Sequence, residues 1–352
     1  MLTATYIKYK LQFKVPSATS RSVLTEKYSY FIILKELDNP SNIAIGEAGP
    51  LDGLSIDAHV HFEFFLEQVC KNINEFINQI ATIRFKYPSI AFALESALLL
   101  LKNQSTSILF PSTFTEGKSS IPINGLIWIG SIESMKKQIE EKLAVGYQVV
   151  KLKIGANTFE EELAILKWIR TTYKENDLVL RLDANGAFAV QEAAEKMKQL
   201  SAYDIHSIEQ PIAAGQLDAM RDLCAQKIIP IALDEELIPV VSLKEKAKLI
   251  QHIQSDYIIL KPSLHGGFGG CEEWIQLARI NQIPYWITSA LESNIGLNAI
   301  AQWTAQLKDS SAMTHGLGTG QLYTNNIDSP LYIEQGHLYF DTTQSIDYTT
   351  IM

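Results

Sequence analysis

Hydrophobic and polar positions change rhythm twice along the chain. In the first thirty-odd residues, YIKYKLQFKV and YSYFIILKEL alternate apolar with polar side chains on either side of a polar stretch, SATSRSVLTEK. A period of two marks a half-buried strand, so the start predicts an antiparallel pair joined at that stretch. GEAGPLDG at 46–53 predicts turns. Helical spacing follows in HVHFEFFLEQVCKNINEFINQI and IAFALESALLLLK. Strands followed by helices predict a separate α+β unit, with its boundary in the Ser/Thr-rich segment around Ser112–Ser120.

After that boundary the rhythm becomes a steady alternation. INGLIWIG, VVKLKIG, LVLRLDAN, HSIEQP, IPIALDEEL, SDYIILKPS, PYWITSALES and THGLGTG read as short, mostly apolar strands. Helical segments such as TFEEELAILKWIRTTY, AVQEAAEKMKQLSAY and VSLKEKAKLIQHI separate the first seven. Buried strands alternating with helices predict an α/β parallel barrel or a doubly wound sheet, and the count of eight favours the barrel. The tail carries a last strand signal, LYIEQGHLYFD. The expected domains are 1–118, 119–320 and 321–352, the tail returning to the first.

Charged residues collect at the C-terminal ends of consecutive strands, where a (β/α) barrel builds its active site. Lys151 and Lys153 end the second strand, Asp183 and Asn185 the third, Glu209 the fourth, Asp234 and Glu235 the fifth, and Lys261 the sixth. Strand periodicity puts Lys151 and Lys153 on one face, pointing into the barrel mouth. Burying such charges is costly unless they neutralise one another or bind an ion. Asp183, Glu209 and Asp234 are therefore candidate ligands for one hard cation, Mg²⁺ with Mn²⁺ as the alternative. A cation on a substrate carboxylate stabilises the enediolate that forms when the α-proton leaves. A flanking lysine with a depressed pKa is the natural base.

Composition narrows the field of partners. The apolar fraction of 47% is ordinary for a globular enzyme with a sizeable core, and the formal charge of −9 argues against a nucleic-acid or anionic-membrane surface. No stretch reaches the roughly 18 apolar residues that span a bilayer. The N-terminus lacks the apolar core of a signal peptide, which makes the cytoplasm the expected location. Cys70, Cys224 and Cys271 form no CxxC pair and are expected to be reduced and structural.

The ordered set formed by KxK (Lys151, Lys153), DxN (Asp183, Asn185), EQP at Glu209, DE at Asp234–Glu235 and KP at Lys261 resembles the enolase superfamily, in particular its muconate-lactonising subgroup. The resemblance covers nearly the whole chain and implies a (β/α)7β barrel, TIM-like, under an α+β capping domain. Within the subgroup, RLDANGAF with Arg181, KPS with Ser263, ITSALESNIGLNAIAQW with Ser289, and THGLGTGQLYTNN are most similar to the o-succinylbenzoate synthase family of menaquinone biosynthesis. That family implies a succinyl-bearing cyclohexadiene carboxylate as substrate. Lys153 would take the α-proton and return it to the leaving hydroxide, and Lys261 would remain a cation beside the enediolate. Lys151 is expected to hold Lys153 in place, Glu235 to pair with a lysine, and Arg181 to form a barrel salt bridge or a substrate contact. Capping loops close over such sites, which makes Arg21 and its neighbours candidate substrate contacts.

Other readings compete with these. The same lysines would serve an N-succinylamino-acid racemase, a dipeptide epimerase or a cycloisomerase. Epimerases of the subgroup carry a late DxD, which ITSALES lacks. A non-catalytic metal-binding barrel and a Schiff-base aldolase are the alternatives from other classes. GGFGGCEEW at 266–274 lacks phosphate-loop spacing and predicts a tight turn before a helix. GLGTG at 316–320 predicts a turn closing the pocket floor. His59 and His61 fall two apart on an expected helix, where side chains diverge. No GxSxG or HExxH motif supports a serine or zinc hydrolase.

Overall fold

The computed structural model describes residues 1–18, 23–308, 312–349 and 351. β1 (Leu2–Ala18) and β2 (Val23–Glu36) form an antiparallel ribbon extended by β3 (Ile43–Ala48). Two expectations are corrected here. Both ribbon strands run into the supposed polar loop, because cross-strand pairing continues through a register shift between Gln12 and Ser17. GEA belongs to a strand rather than a turn. Gly46 lies so close to the Ala93 carbonyl that a Cβ would collide with it, so glycine is needed for helix-on-sheet contact.

Four helices follow: α1 (Phe62–Lys71), α2 (Ile73–Phe76), α3 (Ile80–Ile83) and α4 (Pro88–Asn103). Pro88 starts α4 at a position where its missing N–H costs nothing. Ser89 donates its N–H (2.9 Å) and hydroxyl (2.6 Å) to Oδ2 of buried Asp57. His59 and His61 precede α1 instead of lying on it, their rings 6.0 Å apart.

β4 (Ile121–Pro122) leads into the alternating part. There β5 (Gly125–Ile127), α5 (Ile132–Ala144), β6 (Val149–Lys153), α6 (Phe159–Thr172), β7 (Val179–Asp183), α7 (Val190–Leu200) and β8 (Ile205–Glu209) come first. They are followed by α8 (Leu217–Ala225), β9 (Ile231–Leu233), α9 (Leu243–Ile253), β10 (Tyr257–Leu260), α10 (Gly267–Ile280), β11 (Tyr285–Ile287) and α11 (Asn294–Gln306). The seven strands β5 to β11 form one parallel sheet in sequence order. Both of its edges bridge to the same segment, Thr288 to Gly316 and Ile123 to His315. Inward residues lower down are apolar or aromatic: Ala232, Ile259 and Trp286 pack together there.

The last strands are β12 (Leu331–Glu334) and β13 (His337–Phe340), which pair with each other, and β13 also pairs with β4. Elsewhere the tail meets the N-terminal sheet: Ile327, Ile346, Tyr348 and Ile351 pack with Phe31, Ile33 and Ile45. A second tie crosses from that sheet to α11. Buried Glu47 accepts from Ser29 Oγ (2.5 Å), Ser293 N (2.9 Å), Ser293 Oγ (2.5 Å) and Gly296 N (2.9 Å). A carboxylate at a helix N-terminus satisfies orphan N–H groups and complements the helix dipole. Among the described residues, no helix is long and apolar enough to cross a membrane. The three cysteines are free and buried.

Candidate active site

Each charged strand-end residue lies where its strand carries it into the barrel mouth. Lys151 and Lys153 alternate with buried Val150 and Leu152 on β6, so both ammonium groups face the interior. Register places Lys153 beside Asp183, and Asp183 beside Glu209. Asp234 and Lys261 are the first residues after β9 and β10.

These side chains form linked contacts. Lys153 Nζ donates to Asp183 Oδ2 at 2.9 Å and Asn185 Oδ1 at 2.8 Å. Lys151 Nζ lies 2.9 Å from the same Asp183 oxygen and donates to Glu209 Oε1 and Oε2 at 3.1 and 2.8 Å. Asn185, held at a left-handed φ of 44°, donates through Nδ2 to Glu235 Oε1 at 3.0 Å. Lys261 pairs with Asp234 Oδ2.

The electrostatics follow from this crowding. Burial disfavours the Lys151 ammonium, but the Asp183 and Glu209 charges outweigh it and hold its pKa above the ordinary value. Burial also opposes ionised Asp183, and the two β6 lysines overcome it, keeping that carboxyl well below its usual range. Glu209 is pushed the other way, by burial and then by Asp183, with Lys151 pulling it back and Asp234 adding to the rise. Lys261 is raised: burial works against its charge, and Asp234 and Glu209 prevail.

The remaining predicted residues are arranged differently. Arg181 is buried below this group, donates to the Thr314 carbonyl at 2.7 Å and stacks 4.1 Å from the Trp286 ring centroid, so it is an internal strut. Ser263 and Ser289 both give their hydroxyls to Glu292, Ser289 at 2.5 Å, and the Ala290 N–H adds a third bond at 2.7 Å. Arg21 lies outside the described residues. The sequence reading missed Trp128, whose ring lies 5.9 Å from Lys153 Nζ, and His265, which holds the Lys261 backbone. Trp128 is the residue directly after β5, a strand-end signal of the same kind as the charged ones.

The three carboxylates suit a hard cation in their chemistry. Among the described residues Asp234 Oδ1 is buried with no hydrogen-bond partner, and Glu209 is strained by two like charges that a cation would relieve. Among the described residues, no three acidic, histidine or cysteine side chains are drawn together as a ready metal cage. Each carboxylate instead clasps a lysine.

A family model described as Enolase C-terminal domain-like matches residues 134–344. The chain belongs to that family. Within the enolase family, it is 42% identical to o-succinylbenzoate synthase of Desulfotalea psychrophila, over 95% of this chain and 97% of that protein. The crystal structure of MenC from the same organism superposes with a TM-score of 0.83 at 39% identity, covering 96% of this chain and 99% of the other. An N-succinyl Arg/Lys racemase from Bacillus cereus shares the fold, with a TM-score of 0.83 at 19% identity over 99% of this chain and 96% of that one.

Proposed function

We propose that the chain is an o-succinylbenzoate synthase, a carbon–oxygen lyase that dehydrates a succinyl-bearing hydroxycyclohexadiene carboxylate to an aromatic acid. The observation that carries this reading is positional. Lys153 ends β6 and Lys261 directly follows β10, and the three strands whose ends carry the carboxylates lie between them in the sheet. With His315–Gly316 taken as an eighth strand, the sheet is a (β/α)7β barrel, and β6 and β10 are across the ring from each other. The capping unit over it ends near residue 118, and the tail begins near 321.

Asp183, Glu209 and Asp234 would hold a divalent cation, Mg²⁺ by its preference for oxygen ligands. When bound, such a cation supplies positive charge against the enediolate that develops as the α-proton leaves. Lys153 removes that proton through Nζ, with Asn185 Oδ1 and Asp183 Oδ2 fixing the direction of approach. It returns a proton to the departing hydroxyl on the same face, releasing water. Lys261, kept charged by Asp234, faces the substrate from the other side and stabilises the negative intermediate. Aromatisation makes the second step downhill, and the product would feed menaquinone assembly.

N-succinylamino-acid racemisation is the second reading, since it needs one lysine on each side of the α-carbon. Dipeptide epimerisation is disfavoured: both oxygens of Glu292 are already used by Ser263, Ser289 and the Ala290 N–H, so this acid is not aimed at a substrate ammonium. The test is a direct assay of the cyclohexadiene acid beside a panel of N-succinylamino acids, with wild type and Lys261→Arg. Dehydration by wild type and a surviving trace in the variant are expected, together with complete loss of any racemisation. Racemisation without dehydration would replace the first reading with the second.

A further inference from the structure

The glycine-rich run after Lys261 has no part in the chemistry above, yet the capping helices and the Lys261 turn meet there. The β10–β11 pairing ends at Leu260. The next peptide group, that of Lys261, meets His265 Nδ1 instead, which lies 3.0 Å from both its nitrogen and its carbonyl oxygen. The N–H groups of Leu264 and His265 return to the Lys261 carbonyl at 2.9 and 3.0 Å, closing a tight turn. As the Nε2–H tautomer the ring accepts from the Lys261 N–H, and as the Nδ1–H tautomer it donates to the Lys261 carbonyl. Burial, helped by the Lys246 charge, pushes this imidazole down to about 3, so it stays neutral. Nε2 is buried without a hydrogen-bond partner among the described residues, and the ring stands edge-on to Trp274 at 6.4 Å. A hydrocarbon of similar size would fill this space without an unsatisfied nitrogen. What the imidazole uniquely supplies is a polar contact to the Lys261 peptide.

α10 begins within the glycine run, so those residues form the first helical turn rather than a turn before it. A Cβ on Gly270 would strike the His265 carbonyl, on Gly267 the Glu95 carboxylate, and on Gly266 the Arg84 side chain. Glu95 on α4 accepts from the Phe268 N–H at 2.6 Å, and Arg84, directly after α3, pairs with Glu273. Lys246 completes the joint through the Gly270 carbonyl and Glu273, both at 2.9 Å.

We propose that His265 is a positioning residue for Lys261, and that the glycine-rich joint passes the seating of the capping helices on to it. The proposal rests on the role given to Lys261 above. His265→Leu keeps bulk and removes the polar contact; His265→Asn keeps an acceptor and a donor at the same branch point and opens a cavity. Both lose stability, so stability does not rank them, but turnover does. H265L should lower kcat about a hundredfold with KM little changed, and H265N should recover most of that loss. Equal kcat in the two folded variants, high or low, overturns the proposal. Hydrogen exchange of the Lys261 amide gives a readout independent of substrate. It should quicken about tenfold in H265L and not in H265N. If wild type fails to dehydrate, the functional reading falls, and the exchange comparison still decides the role of His265.

Discussion

The barrel mouth is made of buried charges and the joint under the capping helices of partly buried ones around Lys246, and the two are assembled over different lengths of chain. At the mouth, Lys153 meets Asp183 30 residues away, Lys261 meets Asp234 27 away, and Lys151 reaches Glu209 58 away. Each step spans one or two strand–helix repeats. In the capping region, Glu95 binds Phe268 across 173 residues, Arg84 reaches Glu273 across 189, and Glu47 binds Gly296 across 249. The short-range set would act on substrate, and the long-range set fixes where the short-range set stands. The comparison separates residues whose loss stops chemistry from residues whose loss loosens the assembly.

Removing the base should give the largest effect. Lys153→Ala is expected to lower kcat by about 10⁴-fold, the upper range for a general base. Its folding should change little, because Asp183 keeps Lys151 as partner. Turnover within tenfold of wild type, in a variant with a normal melting curve, would move Lys153 out of the chemistry.

Glu47→Ala probes the other region. It strands the Ser29, Ser293 and Gly296 donors and leaves buried Lys27, 3.9 Å from Glu47, without its countercharge. Breaking a buried charged network of this kind costs about 4 kcal/mol. Denaturant titration should show that loss, while kcat per folded molecule falls far less than in Lys153→Ala. An unchanged midpoint would mean that the sheet does not depend on α11.

Asp57 gives a smaller effect with a definite pH dependence. Burial raises its carboxyl to about 6 from 3.8, although the two Ser89 hydrogen bonds oppose the rise. The folded state thus holds its proton more tightly than the unfolded chain. The stability this gives is complete below pH 3.8 and is lost as pH rises to about 6. At about 1.4 kcal/mol per pH unit, the loss comes to about 3 kcal/mol. Asp57→Asn removes that slope, so wild type should lose ground to the variant across this window and hold constant above it. Parallel stability curves for the two proteins would show that Asp57 ionises freely in the fold.

The sequence made the mouth legible because strand periodicity and repeat order act over a few dozen residues. Lys151, Lys153, Asp183, Glu209, Asp234 and Lys261 could be placed without knowing how the repeats pack. Glu47 and Glu95 could not, because neither lies in a pattern that names its partner across the chain. Gly46 was misread for a related reason: it reads as turn chemistry, but it is in a strand because α4 leaves no room for a Cβ. His265 gave no signal, since a single histidine after a strand has many uses. Arg181 was expected to form a salt bridge or a substrate contact, but its partners, a carbonyl and an indole, carry no charge that a sequence reading would match.

The most direct test follows the ultraviolet conversion of the cyclohexadiene acid to the aromatic product with Mg²⁺ present, then with excess EDTA, then with Mg²⁺ restored. The account predicts turnover that stops on chelation and resumes with the metal, and none at any stage from Asp183→Asn. Turnover indifferent to EDTA, or undiminished in that variant, would contradict it.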